Sequence, residues 1–270
     1  MKENIAPKLH VVIVDFFKAY QVNCLLSQLL SQEGINISCS VIDNSVSSEN
    51  SNNYNSSIMG DDRVSLSILD VNLGYSKACN YGVRDCSNFD YLVFLNPDIE
   101  IQDDLFFVKI IENFESTGGN ALYGVAQRNP DNTYEKVARK FPKISTLIFK
   151  RVPFLNRISP TQVNEYLSID CELSSDSAPQ EVDWLQSSFL FTDKHTWSTL
   201  GSFNEKYYVF MADVDICVRA WKNSIRVILD RSLEVLADGK RSSQGGILGI
   251  LKSKVIRIHI LDAYRYFLGK

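Results

Sequence analysis

Four short apolar runs set the fold class of this 270-residue chain. Residues 9–14 (LHVVIV), 37–43 (ISCSVID), 63–69 (RVSLSIL) and 91–95 (YLVFL) are each long enough for a buried strand. Segments of helical spacing lie between them. Over 18–32, Ala19, Val22, Leu25, Leu26, Leu29 and Leu30 share one side, and 75–86 reads as a second helix. Strands alternating with helices predict an α/β domain with a mostly parallel sheet covered on both faces. Further on, 103–115 reads as an amphipathic helix with Asp103 and Asp104 at its start, where the helix dipole favours acids. Residues 181–192 read as one long strand, 213–222 as a helix, 225–229 as a strand and 247–268 as a last helix. Sheets of this kind bind ligands beyond the carboxyl ends of their strands.

Composition narrows the class. Hydrophobic residues at 45% and charged residues at 22% describe a globular chain, not a disordered or fibrous one. No run reaches the ~18 apolar residues of a membrane span, and Asp15 stops the run Val11–Val14 before it could serve as a secretory signal. The net charge of −4 argues against a general nucleic-acid binder. Cys24, Cys39, Cys79, Cys86, Cys171 and Cys217 form no CxxC pair, so they read as mostly buried thiols in a reducing compartment. The motifs GxxxxGK[ST], GxGxxG after the first strand, HExxH and GxSxG are all missing, which lowers the case for several nucleotide-, zinc- and serine-dependent classes. Residues 44–57 are Ser or Asn at eleven of fourteen positions and read as a mobile surface loop. No internal repeat or linker divides the chain.

Four acidic groups remain as candidate chemistry. Asp15 follows strand one, Asp43-Asn44-Ser45 follows strand two, Asn96-Pro97-Asp98 follows strand four, and Asp213-Val214-Asp215 opens a helix. Each alone could be an ordinary cap or turn residue. Three in order at three strand ends point to a nucleotide site, where carboxylates can hold a divalent ion against a diphosphate. The segment Asn72-Leu73-Gly74-Tyr75 adds small residues at a helix mouth, where backbone N–H groups can meet a phosphate.

Together these residues resemble the family 2 glycosyltransferases, and most clearly the rhamnosyltransferase-like members that build bacterial surface polysaccharides. The matching stretches are VVIV at 11–14, VIDNS at 41–45, NLGYSKACNYG at 72–82, FLNPDIEI at 94–101, RKFP at 139–142, VDW at 182–184 and GSFNEKYYVFMADVDICVR at 201–219. The last is similar to the family segment GgFDExyFxYxEDxDLCxR. The resemblance implies a GT-A fold: a single nucleotide-sugar-binding α/β/α domain over 1–243, followed by a basic amphipathic helix over 244–270. It implies that Asp43 contacts the nucleotide base beside Asp15, and that Asn72, Gly74, Tyr75, Asn80 and Asn96 line the donor pocket. It implies Asp98 as ligand to Mg²⁺ or Mn²⁺, Asp213 as catalytic base in a single displacement with inversion, and Trp184, Asp215 and Arg219 toward the acceptor. The latter three have plain alternatives, a core Trp and a braced helix. The resemblance implies dTDP-rhamnose as donor, with UDP-hexoses or UDP-N-acetylhexosamines as the alternatives. The acceptor would be a lipid-linked oligosaccharide for O-antigen or capsule, placing the protein in the cytoplasm at the inner face of the cell membrane.

The chain also departs from the family pattern. Ala212 stands where a Glu usually precedes the base, Ser187 where a Gly follows VDW, and Asp15-Phe16-Phe17 where Thr/Ser-Tyr-Asn follows strand one. Ala237-Asp238-Gly239 stands where many members carry a His. These departures keep open a non-catalytic relative that binds nucleotide-sugar or glycan. A nucleotidyltransferase is a further rival, though it needs a Gly-rich basic loop where Asp15-Phe16-Phe17-Lys18 stands. From Gly239 onward the chain has seven basic residues and one acid, Asp262. With Leu251, Val255, Ile258 and Leu261 this tail reads either as a helix on an anionic membrane surface or as one packed on the domain.

Overall fold

The computed structural model describes residues 6–143, 178–238 and 254–268. Its main sheet has nine strands. Four follow the expected runs: β1 (Lys8–Asp15), β2 (Asn36–Asp43), β3 (Val64–Ile68) and β4 (Tyr91–Leu95). β5 (Ile99–Glu100), β6 (Ala121–Arg128), β8 (Gln180–Glu181), β10 (Phe189–Asp193) and β11 (Arg226–Ala237) complete it. The order is β3-β2-β1-β4-β10-β6-β11-β5, with β8 also on β11. β1, β2, β3 and β4 pair in parallel, as do β6 and β11, while β10 runs antiparallel to both β4 and β6. A separate two-stranded ladder joins β7 (Ala138–Arg139) to β9 (Trp184–Leu185).

The β-branched strands alternate side chains between two cores. Leu9, Val11 and Ile13 face α1 (Ala19–Leu30) and α5 (Phe106–Ser116), together with Val93 and Leu95. Val12, Leu92 and Phe94 face the other way. There they meet α4 (Tyr75–Arg84), α6 (Lys194–Leu200), α7 (Ala212–Lys222) and α8 (Lys254–Leu268). α4 lies unusually close to the sheet: a Cβ on Gly82 would stand 2.6 Å from Val12 Cγ1.

Several sequence expectations change. The strand expected over 181–192 is broken into β8, β9 and β10, because β8 bonds to β11 and β9 to β7 before β10 enters the sheet. The strand expected over 225–229 extends to Ala237, past a register shift between Asp230 and Glu234. β6 and α6 were not anticipated. α5 starts at Phe106; Asp103 lies ahead of it and accepts from the Leu105 N–H at 3.0 Å. The Ser/Asn-rich stretch is ordered. It forms α2 (Ser48–Ser51) and α3 (Ser56–Met59), capped by the side chains of Ser47 and Asn55. Polar side chains that cannot build an apolar core serve here as caps and as donors to buried acids. Cys171, the proposed 243/244 boundary and residues 247–253 of the last helix lie outside the described residues.

Candidate active site at the carboxyl edge of the sheet

The parallel register brings the strand-end acids together. Asp15 ends β1 directly opposite Asp43, which ends β2. Both are fully buried. Asn50 donates to Asp15 at 2.6 Å and to Asp43 at 3.3 Å, Tyr54 donates to Asp15 at 2.6 Å, and Ser51 to Asp43 at 2.9 Å. Ser45 adds its N–H and its hydroxyl to Asp43. A buried carboxylate is tolerable only with such donors. In this conformation, therefore, Asp15 and Asp43 face the Ser/Asn-rich segment and not an open pocket. The preceding β-branched runs located the acids, but nothing in the sequence showed that α2 would cover them. The backbone is also contorted beside them: Phe17 and Val46 have φ of 60° and 56°, rare for bulky or β-branched residues.

Next along the edge is the Asn72–Asn80 segment. Asn72 Oδ1 accepts from Gly74 N–H (2.9 Å), the Asn44 amide (3.1 Å) and the Tyr208 hydroxyl (2.7 Å). Gly74 has φ +79°, and a Cβ there would lie 2.4 Å from the Tyr208 carbonyl, so only glycine fits. That carbonyl accepts from Tyr75 N–H at 2.6 Å. The Tyr75 hydroxyl donates to the Ser187 carbonyl at 2.9 Å. Asn80 turns away from the edge. Its amide brackets Phe203, accepting from that N–H at 3.0 Å and donating to that carbonyl at 2.9 Å. In this conformation its amide braces a loop, where the resemblance implied a place along the donor pocket.

Asp213 sits in the first turn of α7, after Met211 in a left-handed conformation (φ 69°). Burial pushes its carboxyl up to about 6, opposed by the Val214 and Ser187 N–H groups and the Arg139 charge. A carboxylate near 6 is matched to taking a proton near neutral pH. Arg139 is buried on β7, opposite Trp184 in the β7–β9 ladder, with its guanidinium 5.4 Å from the Trp184 ring. The sequence motif RKFP contained it, yet only the ladder shows what it faces.

The three expected acceptor residues are not in an open groove. Trp184 is only 4% exposed and its N–H donates to the Lys140 carbonyl, which makes it a core residue. Asp215 takes Arg219 Nε at 2.9 Å, and Arg219 also donates to the Leu200 and Ser202 carbonyls. Both residues brace α7 against the loop before it.

The turn after β4 carries the remaining acid. Asn96 N–H donates to the Ser188 carbonyl at 2.9 Å, which ties this turn to the Ser187 that faces Asp213 and Tyr75. Asp98 meets Lys18 Nζ at 3.0 Å, and the same ammonium is 3.9 Å from Asp238. β5 and β11 bring the two carboxylates together, since Ala237 pairs with Ile99. Burial raises the Asp98 pKa, and neighbouring Asp238 adds to that while Lys18 opposes it. Asp98 Oδ1 is buried and receives no hydrogen bond. Asp238 thus stands where the family's downstream His was missed. Among the described residues no group of three or more His, Cys, Asp or Glu is placed to hold a metal. Two oxygen donors with one orphaned lone pair do suit Mg²⁺ or Mn²⁺, which keep waters and take further ligands from phosphate.

A mostly parallel sheet with acids at its carboxyl edge and a carboxylate at the head of α7 is a layout shared by several nucleotide-binding enzyme classes. The sequence model of Glycosyl transferase family 2 matches residues 11–170, and the chain belongs to that family. It is 24% identical over 183 residues to the rhamnosyltransferase WbbL of Escherichia coli strain K12, covering 67% of this chain and 62% of that protein. It is 24% identical over 178 residues to an N-acetylglucosaminyl-diphospho-decaprenol L-rhamnosyltransferase of Mycobacterium tuberculosis, covering 62% of this chain and 56% of that one. The chain spans about three-fifths of the length of these relatives. Among solved structures, GalNAc-T7 with UDP, GalNAc and Mn²⁺ superposes with a TM-score of 0.61 at 10% identity, over 89% of this chain and 45% of that one. TarS 1–349 of S. aureus with UDP gives 0.53 at 12% identity, over 86% and 60%. These neighbours show that the fold is GT-A.

Proposed function

We propose that this chain transfers a sugar, rhamnose by the names of its relatives, from a dTDP- or UDP-linked donor to a lipid-linked glycan in surface-polysaccharide assembly. The observation that carries the reading is Asp213 at the head of α7, a carboxyl raised to about 6 by burial and bonded to Ser187, whose carbonyl holds Tyr75 and whose neighbour Ser188 holds the Asn96–Asp98 turn. Asp213 accepts the proton of an acceptor hydroxyl as that oxygen attacks the anomeric carbon. The bond to the diphosphate breaks on the opposite side, so the configuration inverts. Asn72, Gly74 and Tyr75 hold the backbone of the donor-side segment, and Asp43 and Asp15 serve the nucleoside once the Asn50 and Ser51 donors yield to it. Asp98 and Asp238 would hold Mg²⁺ or Mn²⁺, which when bound supplies positive charge to the departing diphosphate. A binding-only relative has less support, because Asp213 is retained at the head of α7 in surroundings that raise its carboxyl pKa.

A thermal-shift screen of nucleoside diphosphates and their sugars tests this reading. One nucleotide class should raise the melting temperature, more so with Mn²⁺. At about 100 times the dissociation constant the gain is roughly 2.7 kcal/mol, or on the order of 5–10 °C for a domain of this size. No rise with any nucleotide, with or without Mn²⁺, counts against a donor site.

α8 bears on where the enzyme works. It packs inward through His259, Asp262, Ala263, Tyr266 and Phe267. Ile260, Leu261, Tyr264 and Leu268 are 42–66% exposed along its outer side, next to exposed Arg257. No helix among the described residues is long and apolar enough to cross a membrane. We propose that this outer stripe lies on an anionic lipid surface, as basic amphipathic helices do. The protein should co-sediment with vesicles containing phosphatidylglycerol, and Leu261→Glu with Tyr264→Glu should abolish it. Wild-type protein left in the supernatant at low salt would refute the assignment.

A further inference from the structure

The tail's one acid is not on its surface. Asp262 is fully buried on α8, and its carboxylate receives three consecutive backbone N–H groups: Tyr208 at 3.0 Å, Val209 at 2.9 Å and Phe210 at 2.9 Å. Arg265 lies 3.3 Å from the same carboxylate and donates to the Lys206 carbonyl at 2.9 Å. His259 packs at a tilt of 49° against Phe210, with ring centroids 4.4 Å apart. Burying a carboxylate is costly unless donors surround it, and here a row of N–H groups is aimed at one acid.

The clamped loop has two other attachments. Tyr208 joins it to the donor side, through its carbonyl to Tyr75 N–H and through its hydroxyl to Asn72. Met211, in its left-handed conformation, then leads directly into α7 and Asp213. The loop therefore fixes the base relative to the Asn72–Tyr75 segment, and α8 holds the loop from below.

We propose that Asp262 is a positioning residue: through the N–H groups of 208–210 it sets Asp213 against the donor-side segment, so that transfer depends on docking of the C-terminal helix. The proposal rests on the reading of Asp213 as the base. The same helix turns its apolar stripe outward, so whatever that stripe meets is one hydrogen-bonded layer from the base.

A double-mutant cycle on the full chain is the test. An amide at 262 presents N–H to N–H at part of the clamp. Asp262→Asn should lower kcat on the order of 10²-fold, the size of loss expected from a small misplacement of a catalytic group, with the KM for donor changed less than threefold. In Asp213→Asn, where no base is left to misplace, adding Asp262→Asn should cost less than about threefold more. A merely structural role would leave kcat per folded molecule unchanged. Wild-type kcat in Asp262→Asn, or a loss that multiplies in full onto Asp213→Asn, overturns the proposal. Full transfer by Asp213→Asn alone is a different failure, that of the base assignment, and it is read in the same cycle. Should Asp262→Asn fail to fold, hydrogen exchange in the unaltered protein decides. The amides of Tyr208, Val209 and Phe210 should be protected as strongly as those of α8, and free-loop exchange rates would overturn the clamp.

Discussion

Asp213→Asn yields a folded protein that binds donor nucleotide as before and transfers sugar about 10³-fold more slowly, the typical size of a general-base contribution. The amide keeps the shape of the side chain and its hydrogen bond from Val214 N–H, so the loss falls on kcat and leaves the donor KM nearly unchanged. Wild-type kcat follows the ionised fraction of Asp213. With the carboxyl at about 6, the rate rises with pH through about 6 and levels off above 7. Stability moves in the opposite sense. The folded value lies above the ordinary 3.8, so the folded state holds this proton more tightly than the unfolded chain does. That stabilisation is complete below about 3.8 and is lost as pH rises through about 6. At pH 7.5 the ionised, part-buried carboxylate is therefore a burden, and Asp213→Asn should melt a few degrees higher than wild type. At pH 4 the two should melt together. A variant that is slow because it is misfolded would show the reverse, a lower melting temperature. Undiminished transfer by the variant would remove Asp213 as the base.

What the sequence revealed and what it concealed follow from the range of the interactions involved. β1, β2 and β4 and their helices were legible because burial on both faces demands continuous apolar runs such as 9–14 and 91–95, and β3, an edge strand with no buried residue, was legible from its alternation. Asp15, Asp43 and Asp98 were legible as strand-end acids for the same reason. β6 was not anticipated: Gly124 interrupts its apolar run, and its burial comes from partners over 60 residues away in β10 and β11. The break of 181–192 into three pieces depends on β7 and β11, which no local pattern announces. Side-chain direction was less legible still. Trp184, Asp215, Arg219 and Asn80 were assigned to ligands by position, and the fold spends all four on internal contacts. The Ser/Asn-rich stretch reversed its reading, since low apolar content forbids a core but does not forbid a dense set of side-chain hydrogen bonds to two buried acids. Asp238 and Asp262 were visible as letters, one as a missing His and one as a lone acid. Only β5–β11 pairing and helix docking gave them partners.

Asp98→Ala separates two effects that an activity assay alone would merge. In the ligand-free protein Asp98 is paired with Lys18 at 3.0 Å, and Asp238 stands beside them. Three charges then share the edge where the diphosphate is expected, two negative and one positive. Without a metal the two carboxylates repel the diphosphate, and Lys18 is occupied by them. Replacing Asp98 with alanine removes one negative charge and leaves Lys18 with Asp238 alone. Metal-free binding of the nucleoside diphosphate should therefore stay level or tighten by a fewfold. The increment that Mn²⁺ adds should collapse by at least about 100-fold, because even groups that only orient a metal ligand are worth 10–100-fold in metal affinity. Titrations of nucleoside diphosphate with and without Mn²⁺, on wild type and on Asp98→Ala, read both numbers without any turnover. Lys18→Ala supplies the control of opposite sign: it exposes both carboxylates, so it should weaken metal-free nucleotide binding and strengthen Mn²⁺ binding. An Mn²⁺ increment that survives Asp98→Ala intact would mean that the carboxylate is held for Lys18 alone, and that the charge facing the diphosphate is the lysine's.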